Sequence, residues 1–112
     1  MSNKAVNVSK KDVFAVHNGF FYDNRLSFEE IGLLAYMLSL SDDYDFSVEQ
    51  LSEERKISSN SISRALSKLS KYGYYRKIRL VDRHGKFVDW EHEVADVSHP
   101  EWINADNIAL AE

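Results

Sequence analysis

A chain of 112 residues, 44% hydrophobic and 12% aromatic, has the length of one domain and enough apolar matter for a packed interior, which excludes global disorder. The absence of cysteine excludes disulfide staples, thiol catalysis and cysteine-ligated zinc. No apolar run approaches the roughly 20 residues of a membrane helix, and the opening MSNKAVNVSKKD has no signal-peptide core, so the expected location is the cytoplasm. The formal charge of -4 conceals a segregation: residues 55–86 hold ten lysines and arginines against one acid, Asp82, while the remaining positions hold four bases against seventeen acids. Local potential steers a polyanion, so this distribution matters more than the sum.

Residues 1–12 read as a flexible polar arm, and residues 13–97 as the folded domain. In VFAVHNGFFYD, the β-branched and aromatic residues predict a short strand over 13–17, followed after the Asn18-Gly19 turn signal by an irregular aromatic segment. Ser27-Phe28-Glu29-Glu30 has the form of a capping box. Ile31, Leu34, Ala35 and Leu38 follow on one helical face, which Leu33, Met37 and Leu40 widen, so a buried first helix is expected to end near Ser41. Residues 42–45 read as a loop and Phe46 as a very short strand. Ser47-Val48-Glu49-Gln50 is a second capping box, opening a helix of two or three turns with Val48, Leu51 and Ile57 on its apolar side. Ser58 or Ser59 caps a third helix, about 59–72, that buries Ile62, Ala65, Leu66 and Leu69 and stops at Gly73. Residues 74–83 and 86–97 then form the two strands of a hairpin whose tight turn is His84-Gly85. The tail, residues 98–112, has a composition that suits a short helix against the body or against a second subunit.

This α+β order, three helices and then a two-stranded ribbon, is that of a winged helix-turn-helix, in which the second helix of the motif enters the major groove. The third helix suits that task. Asn60, Arg64, Lys68 and Lys71 form its solvent stripe, with Ser59, Ser61, Ser63 and Ser67 beside it. Arginine can bridge two acceptors on guanine, asparagine can do so on adenine, and serine hydroxyls suit phosphates or base edges. Free N–H groups near Ser59 and Asn60 offer a phosphate site. At the hairpin tip, Arg83, His84 and Lys86 are placed to hold the backbone, contacts that position the protein without reading sequence.

The segment KISSNSISRALSKLSKYGYYRKIR resembles the recognition-helix signature of bacterial winged helix-turn-helix proteins. The longer run beginning RLSFEEIGLLAYMLSLSDDYDFSVEQL is similar to the N-terminal domain of phage and plasmid replication initiators, or replisome organisers, of Gram-positive bacteria. The resemblance covers residues 13–97 and implies that Ser59, Asn60, Arg64 and Lys68 match recognition positions and residues 83–86 the wing. Full initiators continue into a second domain, so the expectation is either the DNA-binding part of one or a small stand-alone regulator.

Other features have plainer readings. Phe20, Phe21, Tyr22, Phe28 and Tyr36 read as interior packing, as does at least one of Tyr72, Tyr74 and Tyr75. With a two-residue turn, Arg83 pairs with Lys86, Arg79 falls opposite Trp90 and can stack on it, and Arg76 faces Glu93 as a cross-strand ion pair. His92 and His99 lie near Glu91, Glu93 and Asp96 without a metal-ligand spacing, and no nucleophile elbow or phosphate loop occurs, so neither a metal, a cofactor nor an enzyme is expected. From Asp89 onward there are seven acids and no lysine or arginine, a solubilising tail or a partner surface. The partners expected are double-stranded DNA, a second copy through residues 13–22 or 102–110, and a replication or host protein. The competing reading is a phage-encoded adaptor or inhibitor that uses a winged-helix scaffold to bind protein.

Overall fold

Serines set ahead of apolar stripes start all three helices of the computed structural model, which describes residues 14–40 and 46–111. The first helix, α1 (Phe28–Leu38), begins where Glu30 reaches back to Ser27, accepting its backbone N–H at 2.9 Å and its hydroxyl as well. The second, α2 (Val48–Arg55), is capped by Ser47, whose hydroxyl accepts the Gln50 N–H at 3.0 Å. The Gln50 side chain turns instead to Glu54 at 2.9 Å, so only half of that capping box is realised. Ser58 caps α3 (Ser59–Lys71) by accepting the Ser61 N–H at 3.2 Å. Lys56, in the left-handed region at φ 55, turns the chain between α2 and α3. In that turn Ser52 donates its hydroxyl to the Ile57 carbonyl at 2.5 Å.

The core forms where the three apolar stripes meet. Leu34 of α1, Leu51 of α2 and Leu69 of α3 are fully buried, together with Phe20 from a short 3-10 turn, Asn18–Tyr22. The four residues expected inside α3, Ile62, Ala65, Leu66 and Leu69, are all buried. Its end is a Schellman turn, with Tyr74 N–H on the Leu69 carbonyl at 2.9 Å and Gly73 N–H on that of Ser70 at 3.2 Å. Gly73 takes φ +82, and a Cβ there would stand 2.6 Å from the His99 carbonyl oxygen.

The hairpin follows as β1 (Tyr75–Val81) and β2 (Phe87–Val94), antiparallel, with Arg76 opposite Glu93 and Arg79 opposite Trp90 as expected. A third strand, β3 (Ile108–Leu110), joins the other edge of β1 in parallel, giving the sheet order β2-β1-β3. The architecture is therefore a mixed α+β fold, three helices followed by a three-stranded sheet.

Several expectations need correction. Residues 14–17 form no strand, and Val13 lies outside the described residues, as do residues 1–12 and the loop 42–45. Without a neighbouring strand, His17 instead ties its N–H to Asp96 at 2.6 Å and caps the 3-10 turn with its ring. Phe46 belongs to no strand and packs edge-on to His92. α1 ends at Leu38, before the expected Ser41. Phe21, Tyr22 and Phe28 are exposed, Phe28 to 93%, whereas Phe20 is buried and Tyr36 packs partly buried against the core. In the tail, one 3-10 turn, Pro100–Trp102, stacks Trp102 on His99 and leads to the unforeseen β3.

Asp23 ties the segment before α1 to the end of α3. Its carboxylate accepts the Arg25 guanidinium at 2.7 and 2.9 Å and the Tyr74 hydroxyl at 2.7 Å, while Arg25 lies 4.4 Å from the Tyr72 ring centroid. The Arg25 hydrogen bonds, aided by Tyr74 and opposed by burial, hold the Asp23 carboxyl well below the usual carboxylate range. A depressed carboxylate stabilises the fold above its unfolded pKa of about 4 and loses that contribution as pH falls toward the folded value. Asp23→Ala is expected to cost about 1–3 kcal/mol at pH 7 by leaving the Tyr74 hydroxyl and Arg25 unpaired. In urea titrations the variant's stability should change less between pH 5 and pH 2 than the parent's, in the window set by about pH 4 downward. Gly73→Ala is expected to lose about 1–3 kcal/mol in the same titrations, because a left-handed φ and the His99 carbonyl both oppose a side chain there.

Candidate nucleic-acid interface

α3 carries no acid, and its two sides differ completely in chemistry. Opposite the buried Ile62, Ala65, Leu66 and Leu69, the side chains of Ser59, Asn60, Ser63, Arg64, Ser67, Lys68 and Lys71 are exposed. Asn60, Ser63, Arg64 and Ser67 together line one shallow depression. A bidentate cation, an amide and two hydroxyls around one concavity form a donor set suited to base edges and phosphates. The small serines leave the backbone close to whatever docks there.

Four members of the expected set have partners within the fold, among them Arg64, whose guanidinium donates to the Ser61 hydroxyl at 3.5 Å, and Lys71, which lies 5.5 Å from the Tyr72 ring centroid. Ser61 is partly buried and accepts the Ser58 hydroxyl at 2.9 Å, so it completes the helix cap rather than facing solvent freely. The Lys68 ammonium stands 3.8 Å from the carboxylate of Glu30, a residue only 7% exposed on α1. Burial works to raise the Glu30 pKa, but the Ser27 hydroxyl and N–H, aided by Lys68, outweigh it and hold the carboxyl below its ordinary value. The buried charge therefore persists at neutral pH and draws part of the Lys68 field inward. The sequence marked Glu30 as a capping residue but not as the partner of Lys68, because the α1–α3 approach is tertiary.

At the hairpin the expected two-residue turn is replaced by a three-residue loop. Asp82 and Lys86 close it, with Asp82 N–H on the Lys86 carbonyl at 2.9 Å, and a bulge shifts the register so that Val81 faces Phe87. Arg83 thus does not pair with Lys86. The cause is Asp82: its carboxylate accepts the N–H groups of His84 at 2.8 Å and Lys86 at 2.9 Å, and Gly85 takes φ +79 to complete the turn. The single acid of the basic stretch is spent on backbone donors, which leaves the Arg83, His84 and Lys86 side chains exposed at the tip. The signal was legible, since aspartate at the head of Asp-Arg-His-Gly-Lys is the residue that forms such turns. The seven-residue β1 that leads to the tip spans about 20 Å at ~3.3 Å per residue.

The cross-strand pair is present, with Arg76 Nε 2.6 Å from Glu93, and the Arg76 guanidinium lies 4.7 Å from the Trp102 ring centroid. Arg79 does not stack on Trp90: it lies over Phe87 at 5.5 Å, and Lys77 covers Trp90 at 4.3 Å. His92 is hydrogen-bonded to the Tyr75 hydroxyl at 2.7 Å, and burial pushes that tyrosine up to about 12. Among the described residues, no three histidine or acidic side chains are grouped to hold a metal ion, and no helix is long and apolar enough to cross a membrane. No family model, curated protein or solved structure matches the chain.

The Glu30 contact has a measurable consequence. On a heparin column, Lys68→Ala is expected to shift elution to lower salt by less than Lys71→Ala, because Glu30 already offsets part of the Lys68 charge. Equal shifts would show that the pair is too weakly coupled to matter.

Proposed function

We propose that the chain is a non-enzymatic, sequence-reading double-stranded DNA-binding protein on a winged helix-turn-helix plan, akin to replication initiators or small transcription regulators. α3 would read the major groove and Arg83, His84 and Lys86 would hold the backbone. The observation that carries this reading is the acid-free exposed face of α3, where Asn60, Ser63, Arg64 and Ser67 surround one depression while the opposite face is buried in the core. The three-residue turn between α2 and α3 and the ribbon after α3 support it. Cytoplasmic residence and pairing of two copies on two half-sites accord with the same reading.

A second reading has its own support. An apolar groove of about 370 Å³ runs between the three helices, lined in part by Phe28, Gly32, Tyr36 and Ile57, and Phe28 is nearly fully exposed beside it. That groove suits an adaptor that binds protein. Retention on random duplex DNA at low ionic strength, weakening as salt rises, distinguishes the two; its absence would favour the adaptor.

A duplex selected from a random pool supplies the site for the decisive measurement. Arg64→Ala is expected to lower affinity for that duplex by about 1–3 kcal/mol and to relax preference at one position. Lys86→Ala should weaken selected and random duplexes alike and reduce the salt slope by about one counterion. Fluorescence anisotropy reads both, and an unchanged discrimination ratio in Arg64→Ala would remove that residue as a base reader.

A further inference from the structure

Successive side chains of a strand point to opposite faces, and in the ribbon this alternation sorts charge. Asp89, Glu91 and Glu93 of β2 share one face with Arg76. The register puts Lys77, Arg79, Phe87 and Trp90 on the other, with Ile108 opposite Arg79 and Leu110 opposite Val81 extending it through β3. No acid of the three strands lies on this second face.

The rings there are open to solvent, Phe87 to 47% and Trp90 to 44%, and their centroids are 5.3 Å apart. Each has a cation over it: Lys77 at 4.3 Å from the Trp90 centroid and Arg79 at 5.5 Å from that of Phe87. Ile108 and Leu110 are exposed alongside. Neighbouring exposed rings, basic groups within reach of both and an apolar margin are what sequence-tolerant binding of unpaired nucleotides needs, with bases on the rings and phosphates on the cations. A duplex hides its base faces and cannot use the rings. A second copy docking face to face would bring the same cations and meet repulsion.

We propose that this face of the sheet binds single-stranded DNA, unpaired bases stacking on Trp90 and Phe87 while Lys77 and Arg79 move from the rings to the phosphates. The choice of DNA as the polyanion rests on the function proposed above, whereas the stacking face owes nothing to α3. One molecule can then hold a duplex through α3 and an unpaired strand through the ribbon.

The experiment measures anisotropy of a labelled oligo(dT) of about 20 nucleotides at low salt, long enough to cover one site. The intact protein is expected to bind it, and Trp90→Ala to weaken binding at least about fivefold, the low end for one lost stacking contact. Lys77 is exposed, so Lys77→Glu tests the same face without disturbing packing and is expected to weaken binding comparably. Trp90→Ala should keep the parent's affinity for random duplex, Lys77→Glu should lose more affinity for oligo(dT) than for random duplex, and Arg64→Ala should lose more for random duplex than for oligo(dT). In Trp102→Phe, Trp90 is the remaining tryptophan and its emission should be quenched by oligo(dT). Failure to bind oligo(dT), binding unchanged in both Trp90→Ala and Lys77→Glu, or tighter binding of oligo(U) would overturn the proposal. Binding of oligo(dT) without binding of duplex would leave it standing and remove the α3 reading instead.

Discussion

The structure depends on one helix meeting two demands at once. α3 must bury Ile62, Ala65, Leu66 and Leu69 against α1 and α2, and the same thirteen residues must keep every cation and amide in water. A 3.6-residue period allows this only if small residues separate the two stripes, and alternating serines provide the separation. Those serines are poor helix formers in mid-helix. The apolar face therefore has to supply the stability that propensity does not, which explains why Leu69 and its partners Leu34 and Leu51 are packed out of reach of solvent.

How far the sequence could be read follows from how local each interaction is. The apolar stripe of α3, its start at Ser58, its stop at Gly73 and the Arg76–Glu93 and Arg79–Trp90 register all rest on neighbours within a few positions or on a simple hairpin count. They were legible for that reason. The turn misled because the same residues allow a two-residue or a three-residue loop, and a bulge restores the register further down the ribbon, so the distal pairs match either way. The aspartate at position 82 decides between them through backbone donors, a contribution that counting strand positions does not weigh.

Other features could not be read at all. Asp23 meets Tyr74 across fifty-one positions, and His17 meets Asp96 across seventy-nine. Neither residue stands in a pattern that announces a partner. Exposed Phe28 shows the opposite failure: an aromatic residue at the first position of an amphipathic helix reads as core, yet the helix starts before the stripe has turned inward. In the candidate site, the donor set of α3 was visible from spacing. The inward pull of Glu30 on Lys68 was not, because it belongs to the packing of α1 on α3.

The parallel pairing of β3 also has a bearing on the order in which the molecule assembles. Helices and a hairpin close through short loops and form early, whereas the strand that covers Arg79–Val81 arrives from nearly thirty residues further along. Until it docks, the outer edge of β1 is an unpaired strand with Leu80 and Val81 in it, a template for association with other chains. Lys77 and Arg79 sit on that same strand, and charges on an open edge discourage such pairing. The cations of the ribbon thereby serve as guards of the nascent fold as well as ornaments of its finished surface.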